Sequence, residues 1–217
     1  MAQAENPGRE RILARIREAL RQPAPRRALG ASRAIFAPVP DLLGRFQKEC
    51  EANCTECVVV PDMGACAGTV AAALSSIPPG EIFVQDAPEL RRMADSWRGS
   101  RGTRWSSAGG PSESSQATIT LAEALVAQTG SVFVSSACGG RGASIVAPVH
   151  IVVASAAQLV PTLDDSFALL KERDAAAKNS MLCLITGSSR TADIEKILVM
   201  GAHGPRRLVV ILALHSG

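Results

Sequence analysis

From Asp41 onward, short apolar runs suited to buried strands alternate with segments whose apolar residues recur every three or four positions. The runs are CVVV, EIFV, SVFVS, VAPVHIVVA, MLCLIT and RRLVVILAL. Helical spacing is read in DLLGRFQKECEA, CAGTVAAALSSI, the proline-opened PELRRMADSW, TLAEALVAQ, PTLDDSFALLKERDAA and TADIEKILVM. Alternation of this kind predicts an α/β domain built on a mostly parallel sheet. Residues 98–117, rich in Gly and Ser, read as a long loop inside it. No internal repeat interrupts the pattern.

Composition narrows the core and the partners. Aromatic residues make up 3% of the 217 and tyrosine is absent, so the interior must be built from Ala, Val, Leu and Ile. The same scarcity argues against nucleic-acid binding through base stacking. Charge is uneven: residues 1–40 carry eight Arg against three Glu, whereas the rest carries 15 basic and 17 acidic side chains. A basic arm on a near-neutral body is a weak signal for phosphate backbone or membrane surface, and a solvated helix face explains it equally well. No run reaches the roughly 18 consecutive apolar residues of a membrane span. The N-terminus lacks the apolar segment of a secretory signal, so a cytoplasmic protein with free thiols is expected.

The arm itself divides in two. Ile12, Leu13, Ile16 and Leu20 set an amphipathic helix over 9–21, with Arg11, Arg15, Arg17 and Arg21 on the other face. A proline-rich stretch follows that cannot sustain a helix. Residues 1–40 are therefore read as helix plus linker, and 41–217 as the α/β domain. The greasy stripe needs a cover: its own domain, a sister subunit in a homo-oligomer, or another protein.

The segment MLCLITGSSRTADIEKILVM concentrates the candidate chemistry. A strand followed by Gly187, Ser188, Ser189, Arg190 and Thr191, with Asp193 in the first turn of a following helix, would place free N–H groups, hydroxyls and a guanidinium fork at a strand's carboxyl end. That is an anion site. The alternative is a capped helix whose Arg190 pairs with a local acid such as Asp193. The spacing matches neither the P-loop nor the dinucleotide fingerprint. A second junction, SVFVSSACGGRGAS, flanks Arg141 with Gly139, Gly140 and Gly142 and reads either as a second anion loop or as a flexible connection with a solvated Arg.

Cys50, Cys54 and Cys57 form C-x3-C-x2-C, a spacing used for iron–sulfur ligation, yet they fall on a helix, a turn and a strand and are not expected to converge. Cys66, Cys138 and Cys183 read as small core or loop thiols. His150 enters a strand, His203 braces a loop and His215 is nearly terminal; no Ser/His/Asp or Cys/His arrangement is visible. No metal or cofactor is called for by these patterns, and catalytic residues stay unassigned.

ITLAEALVAQTGSVFV, RGASIVAPVHIVV and LITGSSRTADIEKILVMGAHGPRRLVVIL together resemble the LUD (lactate utilization) domain family, of the lactate utilization protein C type. The resemblance covers residues 118–212 most strongly, and TGSSRTADIE followed by GAHGP is its specific part. It implies a Rossmann-like α/β sheet similar to the sugar-phosphate isomerase and CoA-transferase (NagB/RpiA/CoA transferase-like) fold. It also implies a part in oxidising L-lactate to pyruvate alongside two partners, at least one bearing iron–sulfur clusters. Thr129 and Gly130 belong to its QTGS motif and join the anion-binding set. The chain departs from the family pattern at Gln128, where Glu is expected, and at Ser188, where Pro is expected. Gln can neither shuttle protons nor act as a carboxylate nucleophile. Three readings follow: a non-redox component of a lactate-oxidising assembly that binds a small anion or a partner; an independent isomerase- or transferase-like enzyme on a phosphorylated or carboxylated metabolite; and a redox or metal sensor using the three clustered cysteines.

Overall fold

Aliphatic strands with almost no polar residues have to be covered on both faces, and the structure covers them with helices on one side and a second sheet on the other. The computed structural model describes residues 7–21, 37–97, 101–173, 179–192, 198–200 and 204–215. The helices are α1 (Pro7–Leu20), α2 (Leu42–Ala52), α3 (Cys66–Ser75), α4 (Pro88–Met93) and α5 (Leu163–Glu172). The strands are β1 (Glu56–Asp62), β2 (Ile82–Val84), β3 (Thr103–Trp105), β4 (Ala117–Leu121), β5 (Ala124–Val126), β6 (Ser131–Ser135), β7 (Val149–Ser155), β8 (Leu159–Val160), β9 (Leu182–Ile185), β10 (Arg190–Ala192), β11 (Leu198–Met200) and β12 (Arg207–His215). The chain divides into two units, residues 1–37 and 38–217. In the first, α1 buries none of its side chains, and Ile12, Ile16 and Leu20 are exposed.

In the second unit a six-stranded, wholly parallel sheet runs in the order β1-β12-β7-β4-β2-β3. This is a Rossmann-like α/β arrangement. One face packs Val60, Ile82, Val84, Ile119, Ile151, Val153 and Ile211 against α3 and α4 through Val70, Leu74, Leu90 and Met93. The residues between them, such as Val152, Leu208, Val210 and Leu212, meet Phe46 and Cys50 of α2 and Leu125, Val132 and Val134 of a second sheet. That second sheet is mixed, in the order β8-β5-β6-β9, and α5 covers its far side through Leu170. Strand alternation thus serves two interfaces at once.

Local signals set the helix ends. Asp41 accepts from the Gly44 N–H at 2.9 Å and starts α2. Thr162 and Asp165 form a reciprocal capping box at the start of α5. At the amino edge of the main sheet Arg207 forks onto Glu56, at 2.5 and 2.7 Å, and its remaining nitrogen donates to Ser76 Oγ.

The Glu56–Arg207 pair carries a pH signature. Hydrogen bonding to Arg207 holds the Glu56 carboxyl below its ordinary 4.5. A depressed acid stabilises the fold above its unfolded value and loses that contribution as pH falls below about 4.5 and through its folded value. Both partners are partly solvated, so the pair is worth about 0.5–1 kcal/mol after screening. Arg207→Gln is expected to lower the urea midpoint at neutral pH and to lose that deficit progressively as pH falls below about 4.5. A deficit independent of pH would assign the effect to Ser76 and packing instead.

Three sequence expectations are corrected. TLAEALVAQ is not a helix: it supplies the end of β4 and all of β5, and Ala122 and Ala124–Ala127 are buried among strands. A short apolar run buried on both sides carries no periodicity to tell helix from strand. TADIEKILVM does not open as a helix either, because residues 190–192 and 198–200 pair as an antiparallel hairpin with Thr191 opposite Val199; residues 193–197, with Asp193, lie outside the described residues. The presumed loop 98–117 contributes β3, the edge strand of the main sheet.

Candidate functional site

All six strands of the main sheet end on the same side, with Asp62, Val84, Trp105, Leu121, Ser155 and His215 as their last residues. Open parallel sheets bind ligands along that edge, because the strands stop there and the crossover loops diverge. A cavity of about 610 Å³ lies there, walled by Met63 and Gly64 after β1, by Glu89, Arg92 and Met93 of α4, by Leu121 and Ala122, by Val153–Ser155, and by Gln158 and Arg173. That volume is in the range of small-molecule and cofactor sites.

The walls are mostly apolar and the polar groups are few and placed. After β7, Ser155 and Gln158 form a capping box: Gln158 Oε1 accepts from the Ser155 N–H at 2.7 Å, and its amide donates to the Ala122 carbonyl. This turn fixes the cavity floor. Arg173, just past α5, donates to the Glu123 carbonyl at 3.1 Å. On α4 two neighbouring arginines have different fates. Arg91 forks onto Asp86 and lies over the Trp105 ring at 4.4 Å. Arg92 is exposed, makes no ion pair or hydrogen bond among the described residues, and faces the cavity. Arg92 and Arg173 against one carboxylate, Glu89, give the cavity a cationic rim over an apolar floor. Guanidinium forks on such a rim suit a carboxylate or phosphate.

The residues singled out from sequence lie elsewhere. Thr129 and Gly130, ahead of β6, and Gly187, after β9, both rest on the last turn of α2. A side chain at Gly130 would meet the Cys50 nitrogen and the Glu49 carbonyl carbon at 2.8 Å, and one at Gly187 would meet the Asn53 carbonyl oxygen at 2.4 Å. Asn53 Nδ2 donates to the Thr129 carbonyl at 2.8 Å, and a hydroxyl chain runs from Thr129 through Ser131 to Thr186 at 2.7 and 2.6 Å. The Ser189 N–H donates to the Pro205 carbonyl, just before β12 begins. This junction therefore sits at the amino edge of the main sheet, beside a cleft of about 450 Å³ lined by Asn53, Thr186, Gly187, Ser188 and Ser189. Among the described residues no helix N-terminus opens onto it, since the backbone of Arg190–Ala192 forms β10. Arg141 is not brought to it: that residue is exposed in a turn whose glycines, Gly139 and Gly142, pack on Phe83, Ser106 and Pro111, over β2 and β3. Four strands lie between β1 and β3, so the two edges are roughly 24 Å apart at ordinary strand spacing.

His150 lies inside the main sheet, with Thr120 Oγ1 2.8 Å from Nε2. Burial drives its pKa down to about 4, so the ring is neutral at physiological pH. His203 lies outside the described residues. Cys50, Cys54 and Cys57 sit on α2, in a turn and on β1, and no group of three metal-ligating side chains occurs among the described residues.

Sequence reading missed Arg92, Arg173 and Gln158. Applying the carboxyl-edge rule after EIFV and HIVVAS would have reached α4 and the Ser155 turn; applied after MLCLIT it misleads, because β9 belongs to the second sheet and not to the parallel one.

The LUD domain family profile matches residues 111–213. Residues 111–213 are thus recognised as a LUD domain. The LUD match spans β4 to β12, so it includes Leu121, Ser155, Gln158 and Arg173 of the cavity, whereas Met63 and Arg92 precede it. Lactate utilization protein C of Bacillus licheniformis is 29% identical over 130 residues, 55% of this chain and 54% of that protein. That of Bacillus subtilis strain 168 is 33% identical over 97 residues, 43% of this chain and 40% of that protein. A longer match, to lactate utilization protein C of Geobacillus kaustophilus, is 26% identical over 188 residues, 79% of this chain and 78% of that protein. The chain spans about half the length, or less, of the first curated relatives it matches. The chain also shares its fold with the crystal structure of a DUF162 family protein from Deinococcus radiodurans, at a TM-score of 0.61 and 21% identity over 81% of this chain and 96% of that one. No helix among the described residues is long and apolar enough to cross a membrane.

Proposed function

We propose that this LUD-domain chain serves lactate utilization as a non-redox component that binds a small anion at the carboxyl edge of its main sheet. The observation that carries the site is the pair Arg92 and Arg173 on the rim of a mostly apolar cavity. The process is supported by the relatives named lactate utilization protein C. In this reading the chain works in the cytoplasm beside iron–sulfur proteins that carry the electrons. The exposed stripe of α1 offers them, or a second copy of the chain, a docking element. The amino-edge cleft at Gly187, Ser188 and Ser189 is the weaker site for the anion, because its glycines are used for packing against α2.

The test is genetic and site-specific. In a strain without a paralogue, deletion is expected to abolish growth on L-lactate as sole carbon source. Wild-type protein restores it and Arg92→Glu, at equal abundance, does not. Undiminished lactate growth after deletion contradicts the reading.

The cavity volume favours one second reading. About 610 Å³ is far more room than a three-carbon acid fills, which suits a larger phosphorylated or carboxylated metabolite handled by the chain as an isomerase- or transferase-like enzyme. A thermal-shift panel of hydroxy acids, sugar phosphates and CoA esters separates the two by which anion stabilises the protein.

A further inference from the structure

The first unit carries a helix whose two sides differ in chemistry and whose apolar side has no cover. At about 3.6 residues per turn, Ile12, Leu13, Ile16 and Leu20 fall on one side of α1. Ile12, Ile16 and Leu20 are 59%, 49% and 77% exposed, and no side chain of the helix is buried. A lone helix this short is marginal in water, so a surface that takes up the stripe also stabilises the helix.

The charges are ordered around that stripe. Arg15 borders it on one flank and Arg17 on the other, with Arg11 one turn before Arg15. The acids lie further round. Glu18 is on the opposite side, paired with Arg21 at 2.7 Å, and Glu10 sits beyond Arg17, 4.0 Å from it. Arg9, at the amino end of the stripe, is turned onto Glu10 at 3.4 Å. Arg11 and Arg15 have no ion pair among the described residues. Residues 22–40 add Arg26, Arg27 and Arg33 and no acid, whereas the rest of the chain is close to neutral. We propose that α1 is a reversible anchor for the surface of an anionic membrane, with its apolar stripe among the acyl chains and Arg11, Arg15 and Arg17 at the lipid phosphates.

A helix lying in a headgroup layer is stabilised by apolar residues inward, cations level with the phosphates and acids toward water, which is the order found on α1. The arginine stems are long enough to rest on the apolar layer while their guanidinium groups reach phosphate. Two copies paired through the stripe would instead bring Arg15 and Arg17 of each along one seam, like charge beside like. A protein groove would need carboxylates on both flanks at matching positions, whereas a lipid surface supplies negative charge all around the helix. One short helix binds weakly and reversibly, and the three arginines of residues 22–40 add to the electrostatic part. Lipid binding of this kind requires neither lactate utilization nor a partner protein.

The experiment sediments the full chain with vesicles of phosphatidylcholine, with and without phosphatidylglycerol, at low and high salt. The chain is expected to pellet with the anionic vesicles, to bind phosphatidylcholine alone at least about tenfold more weakly, and to be released by salt. Arg11→Gln with Arg15→Gln is expected to weaken binding about 20-fold, roughly fivefold per arginine. Ile12→Ser with Ile16→Ser is expected to weaken it by about tenfold or more. Lys48→Gln with Arg206→Gln removes equal charge from exposed sites outside α1, and binding within about twofold of wild type is expected. The α1 side chains replaced are exposed, and a urea midpoint on each variant establishes that the fold is intact. Absence of the chain from the anionic pellet overturns the proposal, as does an equal loss in the Lys48 and Arg206 control. A solution dimer that dissociates on Ile12→Ser with Ile16→Ser, without vesicle binding, overturns it in favour of a second copy. None of these outcomes bears on anion binding at the carboxyl edge.

Discussion

Alanine at Gly130 is expected to cost on the order of 3 kcal/mol of unfolding free energy, and alanine at Gly187 at least as much. Gly130 holds φ at 63° and Gly187 at 83°, where a side chain adds roughly 1–2 kcal/mol of strain. The larger part is contact. The added carbon meets backbone in both cases, at 2.8 Å from Cys50 N and at 2.4 Å from the Asn53 oxygen, and neither can rotate away. The last turn of α2 must shift, and with it Cys50 and the packing of Phe46 against Val210 and Leu212. Against a typical total of about 5–15 kcal/mol, either change takes a large share of the stability. Gly68 is the control: it lies in α3 with nothing within 4 Å of an added carbon, so Gly68→Ala is expected to be neutral or stabilising by up to about 1 kcal/mol. Urea unfolding of the three variants checks this, and a mild effect at both Gly130 and Gly187 would show that these glycines are kept for a ligand rather than for α2.

Loss of the Arg92 guanidinium is expected to weaken anion binding by about 10- to 100-fold, the worth of one or two charge-assisted hydrogen bonds. Arg92 makes no hydrogen bond or ion pair among the described residues, so Arg92→Ala should leave the urea midpoint close to wild type. Arg92→Lys keeps the charge and loses the fork, and an intermediate affinity is expected. Arg173→Ala should weaken binding similarly but also costs stability, since that side chain holds the Glu123 carbonyl. Arg91→Ala should change affinity by no more than about twofold, its charge being spent on Asp86. Titration calorimetry with the best anion from the thermal-shift panel measures all four; equal losses at Arg91 and Arg92 would point to a general surface field instead of a site.

Much of the fold was legible because the strongest signals were local. CVVV, VAPVHIVVA and RRLVVILAL are too apolar to be anything but interior strands, and they became β1, β7 and β12, three adjacent strands of the parallel sheet. The helical spacing of PTLDDSFALLKERDAA placed α5 for the same reason. The second sheet was not legible. Nothing local distinguishes SVFVS and MLCLIT, which pair antiparallel with each other, from strands of the main sheet. Calling TLAEALVAQ helical hid the strand that begins this layer. The site suffered from the same confusion. Gly187 to Ser189 carry the composition of an anion loop, but their use depends on which sheet β9 joins, a long-range fact. Arg92 offered no composition cue, being one of two adjacent arginines on a short helix whose difference lies in what Asp86 and Trp105 do with the other.

Backbone amide shifts recorded while the full chain is titrated with its best-binding anion test the central claim most directly. Saturable shifts are predicted at Met63 to Ala67, Arg92 and Met93, Leu121 and Ala122, and Ser155 to Gln158. Shifts gathered instead at Asn53 and Thr186 to Ser189, or none that saturate with any hydroxy acid, sugar phosphate or CoA ester, would contradict it.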